Sequence, residues 1–247
     1  MSVTGENSKV LIVSGGSRGL GQTIVENFIQ DGWRVATFSR TETDFIQALK
    51  KSHPDDFIWE AIDGADFKAL KKFVLQVHKH FGRIDALVNN AGAVLDRLLA
   101  VTTDEEIQYL LDINLVAAIH LCRAVSRIML QEGDGMIINI SSVVGHRGFK
   151  GSSVYSAAKA ALDSLSRSLA RELGPQQIRV NSISPGFIET DMTKNMPESQ
   201  KAQIIRRTPL GRLGTVDDIV GVIRFLLSPE AKFITGQSII IDGGLSC

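Results

Sequence analysis

The chain contains two tyrosines, Tyr109 and Tyr155, and only the second has a lysine four residues downstream, in Val154-Tyr-Ser-Ala-Ala-Lys159. Positions i and i+4 share a face of an α-helix, so a helix here sets the Tyr155 phenol beside the Lys159 ammonium. A phenol ordinarily titrates near 10 and exchanges protons poorly at neutral pH. A neighbouring cation favours the phenolate and is expected to lower that value, making Tyr155 a general acid–base. The spacing alone fits an ordinary helix face equally well.

A second cluster lies near the start, in Ser14-Gly-Gly-Ser-Arg-Gly-Leu-Gly21. Gly15, Gly19 and Gly21 let a backbone turn tightly and approach a bulky anion, and the following helix points its first amides at that anion. The position between an apolar run and an amphipathic one is that of a dinucleotide pyrophosphate site; a flexible turn is the alternative. The second apolar run ends Phe38-Ser39-Arg40, without the carboxylate that holds a ribose 2′-hydroxyl. Ser39, Arg40 and Arg18 instead suit a 2′-phosphate, which favours NADPH over NADH.

The elements that must carry these residues read as alternating strands and helices. Strand candidates are 9–13, 34–38, 56–62, 85–89, 136–140, 178–183 and 237–241, mostly near-continuous apolar runs. Such runs suit strands covered on both faces. Helical patterns fall at 19–31, 65–81, 104–131 and 152–174, with Thr103 and Glu106 in capping-box spacing. The alternation predicts a single α/β domain over 1–247, with a doubly wound seven-stranded parallel sheet, helices on both faces and a flexible polar stretch at 1–8.

Composition narrows the function classes. Hydrophobic residues are 44% and charged residues 22%, the balance of an ordered globular chain. Equal numbers of basic and acidic residues leave no global field for nucleic acid or an anionic membrane. No apolar run is expected to reach the roughly 18 residues that span a bilayer, so the cytoplasm is the default. Cys122 and Cys247 form no metal-type or redox pair, and the five histidines form no ligand-spaced cluster, so no metal is implied; His78 and His80 are expected to face solvent.

Taken together these residues resemble the short-chain dehydrogenase/reductase superfamily, a Rossmann-type fold, from about residue 9 to 244. The family's glycine motif matches Gly15, Ser17, Arg18, Gly19, Leu20 and Gly21, with Ser14 where threonine is more usual. Asp63 and Gly64 match its adenine-contacting turn, and Asn89-Asn90-Ala91-Gly92 its NNAG motif. Asn114 matches the asparagine of the long fourth helix, Ser142 the serine lying 13 residues before Tyr155, and Pro185, Gly186, Ile188 and Thr190 the segment over the nicotinamide.

The resemblance implies hydride transfer between NADPH and a carbonyl carbon. Tyr155 would be the proton donor, Ser142 a hydrogen-bond donor to the substrate oxygen, and Lys159 the ribose ligand. Asn114 would hold a relay water. Plainer roles stand beside these: Ser142 as a loop cap, Asn114 bonded to a backbone carbonyl, Asn89 tying strands together. Stretches at 141–145, 168–174, 184–193, 209–219 and 233–244 resemble 3-oxoacyl-[acyl-carrier-protein] reductases of fatty acid biosynthesis, which implies an acyl-carrier-protein partner and a homotetramer. The match departs where basic docking residues are usual, since those stretches here read Gln131-Glu-Gly-Asp-Gly-Met136 and Gly174-Pro-Gln-Gln177. A secondary-alcohol, ketone or steroid-type dehydrogenase and a non-catalytic NADPH-binding regulatory protein remain open. The loop 186–210 is expected to form a substrate lid.

Overall fold

The computed structural model describes residues 8–189 and 196–247, and in it seven strands form one sheet with every pairing parallel. The strands are β1 (Val10–Ser14), β2 (Arg34–Ser39), β3 (Phe57–Ala61), β4 (Ala86–Asn89), β5 (Gly135–Ile140), β6 (Ile178–Pro185) and β7 (Ser238–Ile241). Their order is β3-β2-β1-β4-β5-β6-β7. The winding therefore reverses between β1 and β4, and an open α/β sheet of this kind has its ligand crevice at the carboxyl ends of those two strands.

The helices are α1 (Gly19–Gln30), α2 (Asp44–Ser52), α3 (Phe67–Phe81), α4 (Asp104–Leu111), α5 (Ala117–Glu132), α6 (Ser153–Leu173), α7 (Glu198–Arg207) and α8 (Val216–Leu227). Strand side chains alternate between faces, so each strand feeds two cores. Ile12, Leu87, Ile137 and Val180 pack with Phe73, Leu121 and Leu173 from α3, α5 and α6. Leu11, Val88, Ile138 and Ile183 pack with Ile24, Ile46 and Ile223 from α1, α2 and α8. This double burial is why the strands read as unbroken apolar runs.

Four expectations change. Helices α2 and α8 were not read from the sequence, although parallel neighbours require a long crossover between β2 and β3 and between β6 and β7. Both carry start signals: Thr43 accepts from the Ile46 amide, and Thr215 and Asp218 form a reciprocal capping box. The segment 198–207 is helix α7 rather than lid loop, while 190–195 lies outside the described residues, as does 1–7 of the expected polar N-terminus. The long helix expected at 104–131 runs from Asp104 to Glu132, but α4 and α5 meet within it at a wide turn, Asp112–Val116, where the Ala117 amide reaches back five residues to the Asp112 carbonyl. Finally, Asp104–Glu132 is long and apolar enough by length and composition to cross a membrane, contrary to expectation, yet half of its most apolar stretch is buried inside this fold.

Candidate active site

The glycine turn joins β1 to α1 and is fixed from beneath. The Gly16 amide donates to Thr37 Oγ1 at 2.9 Å, and that hydroxyl donates to the Val13 carbonyl at 2.7 Å. Gly15 takes φ +72°, and a Cβ on Gly21 would lie 2.2 Å from the Gly15 carbonyl oxygen. Glycine is therefore required at both positions, one for conformation and one for space. Arg18, the residue before α1, is extended and makes no side-chain cap, and the first turn holds no acidic residue. The first amides of a twelve-residue helix thus face the crevice without a protein acceptor. An anionic group fits this cradle.

The end of β4 is pinned to the same turn. Asn90 Nδ2 donates to the Ser14 carbonyl at 3.0 Å, and the Asn90 and Ala91 amides both donate to Ser14 Oγ at 2.9 Å. Asn89 points into the core and donates to Asn139 Oδ1 of β5 at 2.7 Å, the strand-tying role weighed for it. Asn114 sits in the wide turn and is 1% exposed. Its amide donates to the Leu110 carbonyl at 2.9 Å and the Ala93 carbonyl at 2.8 Å, and its oxygen accepts from the Ala93 amide. Its donors are spent on holding the loop after β4. Its oxygen keeps a lone pair beside Gly92, where a Cβ would come within 2.8 Å of it and 3.5 Å of Lys159 Nζ.

Tyr155 and Lys159 lie on the first turns of α6, and Ser142 follows β5 by two residues. The Ser142 hydroxyl lies near enough to the Tyr155 phenol to act on its titration, and its Oγ accepts from the Val144 amide at 3.4 Å. Lys159 is 3% exposed; its Nζ donates to the Ile140 carbonyl at 2.7 Å and stands 5.6 Å from the Tyr155 ring centroid. Tyr155 faces a cleft whose other lining includes Leu95, Leu99, Leu110, Val154 and Arg97. A serine, a phenol and a lysine thus converge beside an anion cradle, at a small cleft of mixed lining.

A family model described as enoyl-(acyl carrier protein) reductase matches residues 15–246, and a solved short-chain dehydrogenase/reductase from Serratia marcescens superposes at TM-score 0.90, with 34% identity over 97% of this chain and 98% of that one. The chain belongs to the short-chain dehydrogenase/reductase family. A 3-oxoacyl-[acyl-carrier-protein] reductase FabG from Chlamydia muridarum is 38% identical over 242 residues, spanning 97% of this chain and 98% of that protein. Carbonyl reductase family member 4 from Xenopus laevis is 39% identical over 238 residues, covering 96% and 98%. As a member of this family the chain is an oxidoreductase with a nicotinamide cofactor.

In this short-chain dehydrogenase/reductase the direction of the Tyr155 shift is the reverse of the expected one. Burial pushes the phenol above its ordinary value, and the Ser142 hydrogen bond opposes it. The lysine is held by the Ile140 carbonyl, so desolvation of the phenolate wins. Burial also pulls Lys159 down to about 8, against the opposing charge of Asp163. At neutral pH the pair is a protonated phenol beside an ammonium.

The remaining predicted residues divide. Arg18 and Arg40 are exposed, and neither forms an ion pair among the described residues. Ser39 is already engaged: its hydroxyl accepts from Trp59 Nε1 at 2.8 Å and donates to the Thr41 carbonyl at 2.9 Å. Its proton is not free for a phosphate, and nothing in one sequence signalled the Trp59 partner. Asp63 is exposed and closes a turn with the Ala65 amide, with Gly64 against Ile113. Pro185 ends β6, Gly186 packs where a Cβ would lie 2.7 Å from Asp242 Cα, and Ile188 pairs with Gly214. Thr190 lies outside the described residues. His80 is exposed as expected, but His78 is half-buried 3.5 Å from Glu132.

Sequence reasoning missed His146 and Asp163. No spacing links them, because they meet only when α6 packs on β6. A polar residue on the inward face of α6 was the available signal.

Proposed function

We propose that this oxidoreductase uses NADPH to reduce a 3-oxoacyl thioester carried by an acyl carrier protein to the 3-hydroxyacyl form. The observation that carries the reading is the convergence of Ser142, the Tyr155 phenol and the buried Lys159 ammonium beside the anion cradle of the glycine turn. The names of the FabG relatives support the substrate class. The exposed Arg18 and Arg40, without an ion pair among the described residues and with no carboxylate at the end of β2, support a 2′-phosphate, and a related solved structure is that of ElxO with NADP bound.

Gly15, Ser17, Gly19, Leu20 and Gly21 would hold the pyrophosphate, Asp63, Gly64, Asn90, Ala91 and Gly92 the adenosine and its surroundings, and Pro185, Gly186, Ile188 and Thr190 the nicotinamide end. Bound there, the reduced nicotinamide supplies a hydride to the carbonyl carbon. Tyr155 gives its proton to the carbonyl oxygen, and Ser142 donates a hydrogen bond to that oxygen as charge develops on it. Lys159 stabilises the tyrosinate left behind and grips the cofactor ribose. Asn114 Oδ1 and Lys159 Nζ both face Gly92, and the remaining lone pair of that oxygen would accept from a water that returns a proton to Lys159. The assembly is proposed as a homotetramer through α4–α5 and α6, whose outer faces carry Tyr109, Ile119 and Leu130.

A second reading keeps the chemistry and changes the substrate to a free ketone. It draws on the exposed acidic pair Glu132 and Asp134, which would repel an acidic carrier, and on the carbonyl reductase named in Xenopus laevis. NADPH oxidation with 3-oxoacyl carrier protein, 3-oxoacyl thioester mimics, diketones and ketosteroids separates the two. Preference for the carrier-bound substrate supports the first; preference for a free ketone supports the second.

A further inference from the structure

Asp163 lies one helical turn beyond Lys159 on α6 and is 3% exposed. Its Oδ1 accepts from Ser182 Oγ of β6 at 2.6 Å and from Ser238 Oγ of β7 at 3.0 Å. Its Oδ2 accepts from Ser141 Oγ at 3.2 Å and lies 3.1 Å from His146 Nε2. Ser141 also donates to the Lys159 carbonyl at 2.9 Å. One buried carboxylate therefore ties α6 to two strands and to both ends of the turn that carries Ser142.

Stability alone does not account for such a cluster, since replacing a buried ionic group by well-packed apolar residues is often neutral or stabilising. A hydrolytic triad is excluded by geometry. Ser184 Oγ at 3.0 Å, Ser238 Oγ at 3.2 Å and Asp163 Oδ2 at 3.1 Å all face the same ring nitrogen of His146. A triad needs the aspartate on the other nitrogen.

We propose that Asp163 is a positioning residue of the reductase: through Ser141, which donates both to its carboxylate and to the Lys159 carbonyl, and through its contact with His146, it holds Lys159 and the turn carrying Ser142 in register with Tyr155, and from one helical turn away its carboxylate favours the Lys159 ammonium. This rests on the Ser142, Tyr155 and Lys159 roles proposed above. Among the described residues, the groups packed around Lys159 and Asp163 offer no other negative charge. Tyr155 comes from α6 and His146 from the turn after β5. Ser182 and Ser184 of β6, Ser238 of β7, Asn114 and Gly92 carry none. Burial works against the Lys159 ammonium and the Asp163 charge opposes it, so removing the carboxylate lets Lys159 lose its proton at lower pH.

The test is NMR titration of isotope-labelled lysine side chains in the cofactor-free protein, with the Lys159 signal identified by its loss in Lys159→Met. Asp163→Asn should lower the Lys159 midpoint by about one pH unit or more, and the alkaline limb of turnover should move with it. Asp163→Ser, a hydroxyl among hydroxyls, serves if the amide variant does not fold. His146→Ala should leave the midpoint in place, keep NADPH affinity within about twofold and cut kcat about tenfold or more, with His146→Gln restoring part of it. An unchanged midpoint in a folded neutral variant, or wild-type turnover in His146→Ala, overturns the proposal. A shifted midpoint in a protein that reduces no substrate upholds the charge role and sinks the reductase reading instead.

Discussion

The Lys159 ammonium donates to the carbonyl oxygen of Ile140, the last residue of β5 and two positions before Ser142. The lysine of the candidate site is thus tied to the strand that delivers its serine. Burial sets its folded value at about 8, below the ordinary 10.5. Between those pH values the unfolded chain binds a proton that the folded one does not, so this group adds stability as pH rises from about 8 to 10.5. Below that window the folded protein carries the full cost of burying the charge. Chemical denaturation of the wild type and Lys159→Met across the range should show a flatter pH dependence in the variant. Parallel curves would refute the buried ammonium.

Tyr155→Phe removes the phenolic proton and leaves the ring. Turnover should fall by about a thousandfold or more while NADPH affinity, followed by fluorescence, stays within about threefold. Wild-type-like rates would remove Tyr155 from the role of proton donor.

The cofactor's 2′-phosphate is assigned to Arg40 and Arg18, not to Ser39, whose hydroxyl is committed to Trp59 and Thr41. Arg40→Ala should raise KM for NADPH about tenfold or more, the worth of a charge-assisted hydrogen bond, and leave that for NADH nearly unchanged. Ser39→Ala should alter the ratio little. Equal effects on the two cofactors would remove Arg40 from the phosphate site.

Gly21→Ala places a methyl 2.2 Å from the Gly15 carbonyl oxygen and 2.6 Å from Asn90 Nδ2. Neither neighbour can move without breaking the turn, so NADPH affinity should drop about tenfold or more and stability by about 1–3 kcal/mol. At Gly19 a Cβ meets nothing within 4 Å, and Gly19→Ala faces only the strain of φ +52°. Its stability loss should be about 1–2 kcal/mol. Thermal unfolding and cofactor titration of both variants check the contrast.

The strands and the site motifs were legible because double burial and close backbone approach leave marks in a single sequence. Mostly apolar runs marked the seven strands, most clearly the fully buried β1, and Gly15 and Gly21 stand where a turn demands them. Helix α2 was missed because its nine residues bury only Ile46 and Leu49, too few to set a periodicity. Helix α8 is strongly apolar but follows a short loop with Pro209, Gly211 and Gly214, and its start signal is the Thr215 and Asp218 capping box. The wide turn at Asn114 and the His146–Asp163 contact depend on packing between distant elements, which no local pattern carries. The sign of the Tyr155 shift depends on where the Lys159 ammonium points, and spacing along a helix does not fix that.

The central claim is the reduction of a carrier-bound 3-oxoacyl thioester by NADPH. It is tested most directly by following NADPH oxidation by the purified protein with 3-oxoacyl carrier protein as substrate, beside the free ketones. The account predicts turnover that requires Tyr155, with kcat/KM highest for the carrier-bound thioester. Tight NADPH binding with no oxidation on any of these substrates would contradict it.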